Sequence, residues 1–178
     1  DKDVRTLLTE TKAGDKITES ADYQTVFHEM EKIAAADSDN IQAVWLGDID
    51  ANVVTQSDGF TSDSSFEITE RTWYRAVETN STILTSAYVD ASTGNLILSA
   101  ATPVYDENGK NIIGVAGADI ALEHIDELLS AYKIGNNGFV ILVTSDGTII
   151  YHPNSDNQLK NLSELNVSDS VMKAIQSQ

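Results

Sequence analysis

Four consecutive residues, Arg71-Thr72-Trp73-Tyr74, and three later ones, Tyr88, Asp90 and Asp119, are of the types suited to gripping a small zwitterion. Arginine presents a planar fork that holds a carboxylate through two parallel N–H···O bonds, and aspartate or a tyrosine hydroxyl can accept from an ammonium. Asp119 is the most pointed of the set. It lies inside the apolar run Ile113-Gly114-Val115-Ala116-Gly117-Ala118-Asp119-Ile120, where a carboxylate is costly to bury unless something cationic meets it. Tyr88 and Asp90 alternate, so in a strand they point to one side. Each residue also has a plainer role open to it. Arg71 can pair with Glu67 or Glu70 at a helix start for less than ~1 kcal/mol, Trp73 can be ordinary core, and the side shared by Tyr88 and Asp90 can face water.

Other chemistries find less support. There is no G-x-S-x-G, no Walker loop and no H-E-x-x-H, and His28, His124 and His152 show neither metal nor triad spacing. No catalytic residue and no cofactor is therefore expected; a hydrolase using Asp90 and Asp119 as a carboxylate pair is the remaining enzymatic alternative. Asp48, Asp50 and Asn52 match the first half of a calcium loop, but Val53 stands where that loop needs glycine and Gly59 where it needs glutamate, so no metal is expected. With 28 acidic against 11 basic residues the net charge is −17, which repels phosphate backbones and anionic lipid surfaces, and no nucleic-acid partner is expected. The chain has no cysteine, which removes disulfides, thiolate zinc sites and thiol nucleophiles.

The elements that must position the clamp follow from periodicity. Residues 1–20 read as a short helix carrying Val4, Leu7 and Leu8, followed by a surface loop. Tyr23 to Ala35 reads as a helix N-capped by Asp22, with an apolar face of Val26, Phe27, Met30, Ile33 and Ala34 that packs on a sheet. Ile41 to Leu46 and Asn52 to Gln56 form a hairpin, and the Ser/Asp/Gly-rich stretch 57–65 a mobile loop able to serve as a lid. Thr69 and Glu70 open a short helix that carries Arg71, Trp73, Tyr74 and Val77. Strands are expected at 83–89, 95–104 and 112–120, with Asn108-Gly109 marking a hairpin turn. That makes five antiparallel strands with helices on one side, an α+β class.

Leu122, Ile125, Leu128, Leu129 and Tyr132 then mark an amphipathic helix ending near Gly135. After it, Phe139 to Ile150 repeats the pattern of Ile41 to Val54 about 96 residues on, a period too long for a solenoid and suggestive of a duplicated module. The second copy is incomplete: beyond Tyr151-His152-Pro153-Asn154 only a helix at 167–175 is expected, leaving a sheet edge for other residues or another chain to cover. The longest apolar stretch, 112–122, is interrupted by Asp119 and falls short of the ~18 residues of a membrane span. The start at Asp1, without methionine or signal-peptide pattern, reads as a fragment of a longer protein.

The ordered series Arg71-Thr72-Trp73-Tyr74, Tyr88-Val89-Asp90, the strand 96–104, Gly114 to Asp119, Gly138-Phe139, Asp146-Gly147 and His152-Pro153 resembles the double Cache domains, extracytoplasmic sensors of chemotaxis receptors and sensor histidine kinases. The resemblance implies a PAS-like antiparallel sheet with flanking helices and then the start of a second PAS-like module. Residues 1–125 would form the membrane-distal ligand-binding module with its N-terminal helical segment, and 126–178 a linker helix and an incomplete membrane-proximal module. It implies a receptor homodimer whose membrane contact lies in transmembrane helices outside this chain, and a small-molecule ligand, an α-amino acid in the group this chain matches best. In that group Arg71 and Trp73 would take the ligand carboxylate, Tyr74 and Asp119 its ammonium, and Tyr88 and Asp90 the side-chain end. Phe66, five residues before Arg71, stands where the group has tyrosine, so one hydroxyl contact is missing. An organic-acid sensor and a spacer without ligand are the alternatives.

Overall fold

The computed structural model describes residues 1–178 apart from 64, 91, 123–128, 133, 137, 145–146, 166, 169, 171–172 and 174–178. The chain divides into two units, residues 1–85 with 98–121 and residues 86–97 with 122–178.

The first unit is built on two long neighbouring strands, β1 (Ile41–Asp48) and β6 (Ile112–Ala121), paired antiparallel with Ala43 opposite Asp119, Trp45 opposite Gly117 and Asp48 opposite Gly114. Together with β2 (Val53–Gln56), β3 (Ile83–Leu84) and β5 (Leu96–Tyr105), the strand order is β2-β1-β6-β5-β3. Strand alternation gives the sheet two faces. Val44 and Leu46 face the helices α1 (Lys2–Glu10) and α2 (Tyr23–Ala36), where Leu46 packs with Leu7, Ile17, Tyr23, Val26 and Met30. Full burial of side chains of this size contributes about 1.5–3 kcal/mol each, which holds α1 down although it is only nine residues long. Asp1 caps α1 by accepting from the Asp3 and Val4 amides.

Several expectations shift in detail. Asp22 occupies the N-cap position of α2 without a side-chain cap bond. Ile33 is 53% exposed although, at about 100° per residue, it shares the phase of the buried Val26 and Met30; it lies in the last turn of α2. The strand expected over 83–89 is two short ones, β3 and β4 (Tyr88–Val89), so the count is six rather than five. The loop expected to be a mobile lid is tied to β2: Ser62 Oγ accepts from the Val54 amide at 2.9 Å, its own amide donates to Val54 O, and Thr61 bridges Thr55. The helix expected to carry Arg71 is instead a pair of 3-10 turns, Ile68–Glu70 and Thr72–Tyr74, followed by α3 (Arg75–Glu78).

In the second unit, β4 pairs with the first two residues of β5, Tyr88 opposite Ile97. The repeated hairpin is present as β7 (Leu142–Val143) and β8 (Ile149–Tyr151), antiparallel. Ile149, Ile150 and Tyr151 of this hairpin are buried, as is Leu162 after it. Asn161 begins the 3-10 turn Leu162–Glu164 with a reciprocal capping box. Residues 123–128 of the helix expected from 121 to 132, and residues 169, 171–172 and 174–175 of that expected at 167–175, lie outside the described residues.

Candidate functional site

The sheet face opposite the helices carries the candidate site of the first unit. Along β1, Ala43, Trp45 and Gly47 point to this face. Along β6, Gly117 and Asp119 do. Gly117 has no side chain, so the indole of Trp45 lies across it; a Cβ there would sit 2.2 Å from Trp45 Cζ2. From that seat Trp45 Nε1 donates to Asp119 Oδ1 at 2.7 Å, and Ser99 Oγ of β5 donates to the same oxygen at 2.6 Å. Asp119 is only 3% exposed and Ser99 fully buried. The sequence expectation that this carboxylate is buried holds, and the groups that make its burial tolerable are hydrogen-bond donors of the sheet itself.

Trp73 completes the layer. Its ring packs on Trp45 with centroids 4.6 Å apart and planes inclined by 42°, and its edge covers Gly47, where a Cβ would lie 3.3 Å from Trp73 Cη2. Tilted aromatic pairs contribute about 0.5–1.5 kcal/mol beyond the area they bury. Trp73 is 5% exposed, so it is core.

Arg71 stands between the two 3-10 turns with extended backbone, φ −84 and ψ 142, and is half-buried. Its guanidinium carbon lies 4.8 Å from the ring centroid of Phe66, a stacking contact that fixes the fork without using its N–H donors. Glu67 and Glu70 precede it in sequence, yet no carboxylate among the described residues makes an ion pair with it. Tyr74, half-buried in the second turn, donates its amide to Arg71 O at 2.9 Å.

Tyr88 and Asp90 belong to the second unit. Asp90 is 6% exposed, and its carboxylate accepts from Ser92 Oγ and Thr93 Oγ1 at 2.6 Å each and from both backbone amides. Burial pushes this carboxyl up, but the Ser92 and Thr93 hydrogen bonds outweigh it and hold the group below the ordinary carboxylate range. That is the bonding of a turn-forming aspartate.

The structure therefore brings Trp73 and Asp119 together through Trp45 and sets Arg71 on Phe66. Trp45 and Ser99 were missed by sequence reasoning, which took both as strand residues. The available signal was chemical: a buried indole N–H needs an acceptor, and the Asp119 carboxylate lies on a strand with glycine two positions earlier.

Two surface clefts of about 450 and 360 Å³ lie elsewhere, lined by loop residues around Asp15 and Lys16 and, in the second, also by Asn52 and Ser62. Neither includes a clamp residue, and their walls lack the convergent buried polar groups of a small-molecule site. Among the described residues no three metal-ligating side chains cluster, and no helix is long and apolar enough to cross a membrane.

An antiparallel sheet with helices on one face and a buried polar and aromatic layer on the other is a PAS-like arrangement. The double Cache family model, described as Cache domain, matches residues 3–177, and the chain belongs to that family of extracytoplasmic sensor domains. It is 34% identical over 128 residues to the methyl-accepting chemotaxis protein PscA of Pseudomonas syringae pv. tomato, covering 71% of this chain and 20% of that protein. Among solved structures, the ligand-binding domain of the Pseudomonas fluorescens chemoreceptor CtaA in complex with L-valine is similar at 26% identity and TM-score 0.64, over 92% of this chain and 67% of that one. The ligand-binding domain of the Pseudomonas aeruginosa amino acid chemoreceptor PctC in complex with GABA is similar at 28% identity and TM-score 0.66, over 90% and 68%. The chain thus spans about a fifth of the length of the curated relative.

Proposed function

We propose that this chain is the ligand-binding region of a transmembrane chemotaxis-type receptor and that its first unit takes an amino acid, without turnover. In this reading Arg71 holds the ligand carboxylate with Trp73 beside it, and Asp119 and Tyr74 receive the ammonium. Phe66 backs the guanidinium. The observation that carries the reading is Arg71 itself: a half-buried guanidinium stacked on Phe66, preceded by two glutamates, with no carboxylate partner among the described residues. A fixed cation of that kind is prepared for an anion from outside. The amino acids bound by CtaA and PctC are the second support. Receptor homodimerisation, through helices beyond this segment, belongs to the same proposal. The reading does not depend on Tyr88 or Asp90.

A thermal-shift screen with the twenty L-amino acids and common organic acids tests it. A bound ligand at ~100 times its dissociation constant stabilises the folded state by about 2.7 kcal/mol, a rise of several degrees in the midpoint. Arg71→Ala should then lose roughly 10- to 150-fold in affinity by calorimetry, the worth of charge-assisted hydrogen bonds at about 1.5–3 kcal/mol, and Arg71→Lys should recover little of it. Shifts from organic acids alone would replace the amino-acid reading with a carboxylate sensor. No shift from either class, in protein shown to be folded, would leave a structural spacer.

A further inference from the structure

We infer that Trp45 and Ser99 are positioning residues of the ammonium site: they orient the Asp119 carboxylate, and Trp45 sets its spacing from Trp73. The inference deepens the amino-acid reading and rests on it.

Three observations converge. First, the two donors meet on one oxygen, Oδ1, at 2.7 and 2.6 Å, distances of charge-assisted bonds. They come from strands on either side of β6, Trp45 from β1 and Ser99 from β5, so the carboxylate is held laterally from both neighbours. Second, the indole that holds Asp119 is the same ring that supports Trp73 at 4.6 Å. In the proposed site Trp73 flanks the ligand carboxylate and Asp119 meets its ammonium, so one rigid bicyclic ring spaces the two recognition points. Third, the seat of that ring is built by absences. Gly117 leaves room for the indole and Gly47 for the edge of Trp73, and alanine at 117 would already collide with Trp45.

The physical consequence concerns selectivity. Donors on a carboxylate favour its ionised form and remove rotational freedom that ligand binding would otherwise have to freeze. Asp119 therefore meets an ammonium with its carboxylate already oriented. Without the donors the site would still admit a carboxylate through Arg71 but would discriminate less strongly for the amine.

The test uses Trp45→Phe, which keeps an aromatic ring over Gly117 and against Trp73 but removes the N–H, and Ser99→Ala. Calorimetry of the wild type and each variant would measure the twenty L-amino acids and their 2-deaminated acids, and give the affinity ratio of the tightest binder to its deaminated acid. Each variant should lower that ratio about tenfold while changing the affinity of the deaminated acid less than about twofold. In an Asp119→Asn background neither should lower it further. The pH at which amino-acid affinity begins to fall on acidification should also move upward in both variants. A packing role would weaken both ligands alike and leave the ratio and pH profile unmoved, which would overturn the inference while the amino-acid reading stood. Failure of the wild type to bind any amino acid would overturn that reading and this inference with it. The indole resonance of Trp45, observed by 15N NMR without ligand, should shift in Asp119→Asn; an unmoved resonance would remove the bond on which the inference stands. Should Trp45→Phe fail to fold, the Ser99→Ala ratio decides.

Discussion

Asp119 and Asp48 are two buried carboxylates on the same pair of strands, and they face opposite ways. Asp119 lies on the clamp face, where an indole and a hydroxyl meet its Oδ1. Asp48 ends β1 on the helix face, fully buried beneath α1. One of its oxygens accepts from the Ala51 amide at 3.0 Å, and the other, Oδ2, has no hydrogen-bond partner among the described residues. Burial pushes the Asp48 carboxyl from 3.8 up to about 6, and the nearby charge of Asp50 adds to the rise, against the hydrogen bonds of Ala51 and Asp50 and the pull of Lys12. Equal burial thus has opposite meanings. On the face of Asp119 the sheet supplies donors to the carboxylate; on the helix face one oxygen is left without a donor among the described residues and the carboxyl keeps its proton up to about pH 6.

The largest expected effect breaks the clamp side of this comparison. Gly117→Ala places a methyl 2.2 Å from the Trp45 ring, so the indole must leave its seat and its bond to Asp119. Overpacking and a lost bond to a charge together predict a destabilisation of about 3 kcal/mol by chemical denaturation. A loss below ~1 kcal/mol would show that the ring tolerates another position and would weaken the account of why β6 carries glycine there.

Next comes the helix side. Asp48→Asn retains an oxygen for the Ala51 amide and removes the buried charge. A folded-state carboxyl at about 6 against 3.8 unfolded means that the folded protein binds the proton more tightly. The contribution of Asp48 to stability is therefore complete below about pH 4 and is lost as pH rises through 6. The rise corresponds to at most about 3 kcal/mol; allowing for solvent screening and Lys12, the variant should be more stable than wild type by about 1–2 kcal/mol at pH 7 and equal to it at pH 4. Taking the difference between two proteins cancels the opposite, acid-side losses from carboxyls such as Asp90 and Asp106, which are held below their ordinary range. A constant difference across pH 4–7 would mean that Asp48 does not titrate there.

The smallest effect sharpens the same point. Lys12 pairs with Asp50 at 2.9 Å, both side chains more than half exposed. Lys12→Met should change stability at pH 7 by less than about 0.5 kcal/mol. Because Lys12 is the cation that opposes the rise at Asp48, the pH at which Asp48 loses its proton, followed by carbonyl NMR, should move upward. An unmoved titration would mean that another group controls Asp48.

Much of this protein was legible before folding. The periodic apolar residues of 23–35, the apolar run 41–46, the Asn108-Gly109 turn and the run 112–120 specify a helix-backed antiparallel sheet, because one-dimensional spacing determines which side chains share a face. Asp119 was legible too, since its neighbours are apolar on both sides and a lone carboxylate in such a strand needs a reason. Tertiary structure alone decided what that reason is. Trp45 and Ser99 lie 74 and 20 residues from Asp119, and no local pattern records that three strands bring them to one oxygen. The same holds for Arg71, whose two neighbouring glutamates suggest an ion pair; the extended backbone between two 3-10 turns sets its guanidinium on Phe66 instead. It holds most plainly for Asp48, which the sequence places in a polar Asp-Ile-Asp turn. That β1 runs two residues further than expected, to Asp48, and pairs it with Gly114 on the helix face is a matter of register, and a register shift of a single residue exchanges one face of the sheet for the other.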